Sequence, residues 1–73
     1  MKIEALIESI GTCEALADTA NSTAECLGFM KRADDWREHL GRPLTHDELL
    51  KVASVKAAAL KRYRMEEHER ENN

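Results

Sequence analysis

The side chains here with the most intrinsic chemistry are Cys13, Cys26, His39 and His46. Thiolates and imidazoles bind zinc, and a cysteine beside a histidine makes a nucleophile with its base. The spacing of these four argues against both. No two of them lie two to five residues apart, as a zinc finger requires. No third group orients a base, and no oxyanion site accompanies them. Both cysteines fall on apolar stripes and read as small core residues. The prediction is therefore no catalytic residue, no metal and no other cofactor.

Charge carries more information. The formal net charge is -3 at pH 7, which argues against generic nucleic-acid binding. Its distribution is uneven. Residues 1–21 carry Lys2 against Glu4, Glu8, Glu14 and Asp18. Residues 49–65 carry Lys51, Lys56, Lys61, Arg62 and Arg64 and no acid, and 66–71 turn acidic again. The basic run is the candidate contact for nucleic acid or an acidic partner, since such a run can supply several phosphate contacts. The plainer reading is a solvated helix face that complements the helix dipole. The candidates for a protein partner are Glu14, Asp18 and Glu25, together with Trp36 and Arg37. Trp36 is the one tryptophan, and tryptophan is enriched at binding hot spots.

These residues need elements to hold them, and the apolar spacing is helical throughout. Ile3, Leu6, Ile7, Ile10, Cys13, Ala17 and Ala20 form a first stripe. Cys26, Phe29, Met30, Ala33, Trp36 and Leu40 form a second. Leu49, Leu50, Ala53, Ala57, Leu60 and Tyr63 form a third, and each stripe is predicted to face the core. Asn21 tolerates the left-handed backbone that ends a helix. Ser22 with Glu25 and Thr45 with Glu48 spell capping boxes. Gly41 stops the second helix and Pro43 prevents its resumption. Leu44 is placed to staple the third helix to the core. The second helix is predicted to pass through Gly28.

Gly11 leaves residues 2–20 open to two readings. Glycine inside a helix costs about 1 kcal/mol relative to alanine, and Thr12 is a competent N-cap. One long helix gives a three-helix domain; two short ones give four helices. The second choice carries a resemblance. The run Ile10-Gly11-Thr12-Cys13-Glu14-Ala15-Leu16-Ala17-Asp18-Thr19-Ala20-Asn21 resembles the first half of a Cro-type phage helix-turn-helix. Ala17 takes the small position, Asn21 the turn, Leu27 the buried branched position and Met30 the apolar position after it. The resemblance covers residues 3–31. It departs at Ser22, where the family buries an aliphatic residue, and in its DNA-reading helix. There Thr23, Ala24, Glu25, Gly28 and Phe29 offer no Arg, Lys, Asn or Gln for bases or phosphates. The resemblance implies a phage-type regulator that has lost its DNA chemistry and binds protein, with RNA polymerase or its factors as the partner.

The expectation is a single all-α domain of three or four helices over residues 1–68, with a frayed acidic tail at 69–73. No apolar stretch reaches the roughly 20 residues of a membrane span. The start Met1-Lys2-Ile3-Glu4 lacks a signal-peptide core, so the cytoplasm is the expected compartment, that of a bacterial host if the chain is phage-encoded as the resemblance implies. The leading function is transcription regulation by protein contact. One alternative is a weak Cro-type DNA-binding repressor that uses residues 51–64. The other is a helical dimerisation module, since the first stripe keeps a heptad step. A monomer or weak homodimer is expected.

Overall fold

Helix-forming residues dominate between the capping signals, and the signals set the breaks. The computed structural model describes the backbone of residues 2–72 and the side chains of residues 2–65. It contains three helices: α1 (Ile3–Asp18), α2 (Thr23–Leu40) and α3 (His46–Asn72). No helix among the described residues is long and apolar enough to cross a membrane. The segment 69–73, expected to fray, is helical as far as Asn72. Asn73 lies outside the described residues.

The α1–α2 turn departs from the expected chemistry. Asn21 does not adopt a left-handed conformation. α1 closes on Thr19 instead, whose N–H and hydroxyl both donate to the Ala15 carbonyl at 3.1 Å. Ser22 caps α2 by accepting from the Glu25 N–H at 3.2 Å. The Glu25 carboxylate accepts in turn from the Asn21 N–H, one residue before the cap. α2 ends on Gly41, the stop expected there, and it is this glycine, at φ 77°, that takes the left-handed conformation.

The start of α3 is a complete capping box. Glu48 N–H donates to the Thr45 hydroxyl at 3.2 Å, and Thr45 N–H donates to the Glu48 carboxylate at 2.8 Å. Arg42 adds two hydrogen bonds to the same carboxylate, at 2.7 and 2.9 Å. The Arg42 guanidinium, followed by the Thr45 backbone, holds the Glu48 carboxyl down from 4.5 to about 2. A lowered carboxyl favours the folded state above the unfolded value. The contribution is therefore present above pH 4.5 and disappears as pH falls from 4.5 toward 2. We expect Arg42→Ala to move the Glu48 titration, followed by NMR, back toward the ordinary carboxylate range. An unmoved titration would show that the backbone alone holds it down.

α1 is the central element. α2 and α3 each pack on it, while the α2 and α3 backbones do not approach one another. α1 is accordingly buried over a wide arc that includes Leu6, Ile7, Ile10, Gly11, Cys13, Ala15 and Ala17. Ile7, Ile10 and Val52 form the core cluster, with Ile3, Trp36, Leu44 and Val55 against it. Leu44 thus makes the staple contact expected of it. The α1 stripe that a coiled-coil dimer would use is already covered by α2 and α3.

The break considered at Gly11 does not occur, so there are three helices and the first does not close on that glycine as the Cro-type pattern implies. Gly11 is instead a point of close approach between α1 and α3. A Cβ built there would lie 2.8 Å from Val55 Cβ and 3.0 Å from the Val52 carbonyl oxygen. Gly28 contrasts with it. α2 passes through Gly28 as expected, and a Cβ there would meet nothing within 4 Å. Gly28→Ala should therefore stabilise the fold by about 1 kcal/mol through helix propensity. That is a rise of roughly 4–8 °C in Tm for a domain of this size, measurable by circular dichroism. A fall would mean that α2 needs the glycine for another reason.

Two of the three predicted stripes are corrected. On α2 only Ala33 is buried, and Met30 is 51% exposed. On α3 the core face consists of Val52 and Ala59, with Val55, Lys56, Leu60 and Tyr63 half-buried. Leu49, Leu50, Ala53 and Ala57, expected in the core, are exposed. β-branched Val52 and Val55 fit the close approach at Gly11, where a leucine would be held too far out.

Candidate functional site

Two surfaces stand out: a cleft between α1 and α2, and the outward face of α3. The cleft has a volume of ≈ 480 Å³ and is lined by Cys13, Arg32, Asp35, Trp36 and His39. Helical spacing brings Arg32, Trp36 and His39 to one side of α2. Trp36 is half-buried: it packs against the core cluster and also borders the cleft. His39 meets it edge-to-face, with ring centroids 6.2 Å apart. Such aromatic pairs hold a ring in one orientation. Arg32 lies over the Phe29 ring at 5.8 Å, a cation–π contact.

The cleft is better suited to binding than to covalent chemistry. Burial pushes the Cys13 thiol up from its ordinary value, partly countered by the Arg32 charge. Thiolate is the reactive form, so this cysteine is a poor nucleophile near neutral pH. Among the described residues no three His, Cys, Asp or Glu side chains converge as a metal site would require.

The acidic and basic candidates are placed differently from Trp36. Glu14 pairs with Arg37 across the α1–α2 contact, and Arg37 also reaches Asp34 at 3.3 Å. Asp18 pairs with Lys56 of α3 at 3.1 Å. Glu25 is engaged in the start of α2. Glu14 and Asp18 thus tie neighbouring helices to α1, and Glu25 holds the turn that starts α2. Nothing in the local sequence marks the Glu14–Arg37 and Asp18–Lys56 pairings, because the partners lie far apart in the chain.

The remaining basic candidates are exposed. Lys51, Lys61, Arg62 and Arg64 all lie at the surface of α3. Arg62 stacks over the Tyr63 ring at 5.3 Å. Lys51 lines a second shallow cleft with Glu4 and Glu8 of α1. Leu50, Ala53, Ala57, Lys61 and Arg64 recur at three and four along α3 and are all exposed. Leu50 is 55% exposed and Leu49 50%. The apolar pattern read as core is thus an outward face that grades into positive charge.

No protein family, curated protein or solved structure matches the chain.

Proposed function

We propose that this protein is a small helical regulator that acts by contact with a protein partner and not by catalysis. The observation that carries this reading is the placement of Trp36. It packs against the core cluster and also borders an open cleft flanked by Arg32, Asp35 and His39. A rigid aromatic with polar neighbours is the usual composition of a binding hot spot. The Cro-type resemblance lies in the sequence and not in the helix packing, since α1 runs unbroken through Gly11, and Leu27, given the buried branched position, is 59% exposed. On the sequence alone it makes RNA polymerase subunits and sigma factors the first partners to assay, in a bacterial cytoplasm.

The test is capture on the tagged chain, from bacterial lysate and then with purified polymerase, with and without nuclease. A partner retained after nuclease and lost in Trp36→Ala, with Arg32→Glu as the variant that spares the core, supports the reading. Retention of no protein after nuclease sinks it. A second reading rests on the exposed bases Lys51, Lys61, Arg62 and Arg64: weak duplex DNA binding through α3. It requires an affinity that falls steeply with salt. Absence of duplex binding at about 50 mM salt removes it.

A further inference from the structure

α3 carries two apolar faces, and α1 covers one of them. The other, with Leu49 and Leu50 half in solvent, has a particular symmetry. Leu50, Ala53 and Ala57 are exposed, and Leu60, half-buried, lies at the border with the α1-facing side; the four are spaced three, four and three apart, so the order Leu-Ala-Ala-Leu reads the same in both directions. An isologous two-fold contact sets residue i of one copy against residue j of the other and j against i, so in an antiparallel pair this order would place leucine against leucine and alanine against alanine.

We infer that this face pairs two copies of the chain through antiparallel α3 helices. In the register that the symmetry selects, Leu50 of one copy lies against Leu60 of the other and Ala53 against Ala57. The alanines lie nearest the two-fold axis, where small side chains let the backbones approach closely. The leucines at either end close the seam.

Charge fits the same register. Asp47 is exposed in the first turn of α3, and Lys61 and Arg64 are exposed beyond the seam. Antiparallel pairing sets Asp47 of each copy beside Lys61 and Arg64 of the other, on both sides of the axis. Parallel pairing would stack Lys61 on Lys61 and Arg64 on Arg64, which like-charge repulsion opposes. The Trp36 cleft has no α3 residue in its lining and takes no part, so the pairing is independent of the partner reading above. The seam is short and its ion pairs are exposed, so the dimer is weak and concentration-dependent.

The test is sedimentation equilibrium on the full chain over a wide concentration range. The expected mass rises from 8.3 kDa toward twice that value. Ala57→Glu, an exposed change that leaves the α1 contact intact, should hold the mass at the monomer value with an unchanged melting curve at low concentration. Lys61→Glu and Asp47→Lys should each weaken association by about tenfold. Combining Lys61→Glu with Asp47→Lys should restore it. A constant 8.3 kDa mass overturns the proposal. So does a dimer indifferent to Ala57→Glu, or a double variant no tighter than the singles. Capture of a different protein that Ala57→Glu abolishes, with the chain itself monomeric, would assign the face to that protein and overturn the pairing as well.

Discussion

Gly11→Ala destabilises the fold, although the same change improves the helix propensity of α1. The two effects oppose each other, and their sizes decide the sign. Propensity favours alanine by about 1 kcal/mol. Against it, the new Cβ would lie 2.8 Å from both Cβ and Cγ1 of Val55 and 3.0 Å from the Val52 carbonyl oxygen. Side-chain Cβ and backbone atoms cannot swing aside as a flexible chain end can. The helices must separate, and overpacking of this kind typically costs 1–3 kcal/mol, with about 3 at so tight a contact. The net loss is therefore about 2 kcal/mol, out of the roughly 4–11 kcal/mol expected for a chain of this length. Chemical denaturation measures it, and amide exchange in α3 should rise more than in α2. Val55→Ala should not rescue the variant, because it retains the Cβ that clashes. A more stable Gly11→Ala would mean that α3 does not dock against this part of α1. Beside the stabilisation expected for Gly28→Ala, the pair makes a comparison of sign that experimental scatter does not blur.

Ile10→Ala should be the most damaging single truncation in α1. Ile10 is the largest fully buried side chain, at 0% exposure, in the cluster where Ile7, Val52 and Trp36 meet. Such truncations cost about 2–5 kcal/mol, through lost burial and the cavity left behind. The upper end is a large share of the total stability of a domain this small. Trp36 packs on the same cluster, so its fluorescence reports the loss directly. Leu50→Ala supplies the contrast. At 55% exposure it should cost no more than about 0.5 kcal/mol. Equal costs at Ile10 and Leu50 would show that α3 is turned to present its leucines to α1.

Local chemistry made much of the architecture legible. Ser22 with Glu25, Thr45 with Glu48, and Gly41 followed by Pro43 mark helix ends through groups within a few residues of one another, and the helices begin and end there. The α1 stripe was legible as well, because Ile, Leu and Cys at helical spacing leave one face to bury. Trp36 could be singled out as the one tryptophan, a residue type enriched at binding hot spots. The internal roles of Glu14, Asp18 and Arg37 could not, since ion pairs between helices leave no trace in spacing.

Tertiary structure alone decided two matters, and they are the same matter seen from two helices. Gly11 reads locally as a helix breaker or a tolerated cost. In the fold it is the gap into which the Val55 side chain and the Val52 carbonyl fit. α3 reads locally as presenting its leucines and alanines to the core, because that stripe is the more apolar. Its valine face docks instead, since compact branched side chains allow the approach that a missing Cβ on α1 permits. Sequence periodicity measures how apolar a face is, whereas docking depends on whether two surfaces can come close enough to exclude water. The leucine and alanine face is thereby left outward, where a second copy of the chain can meet it.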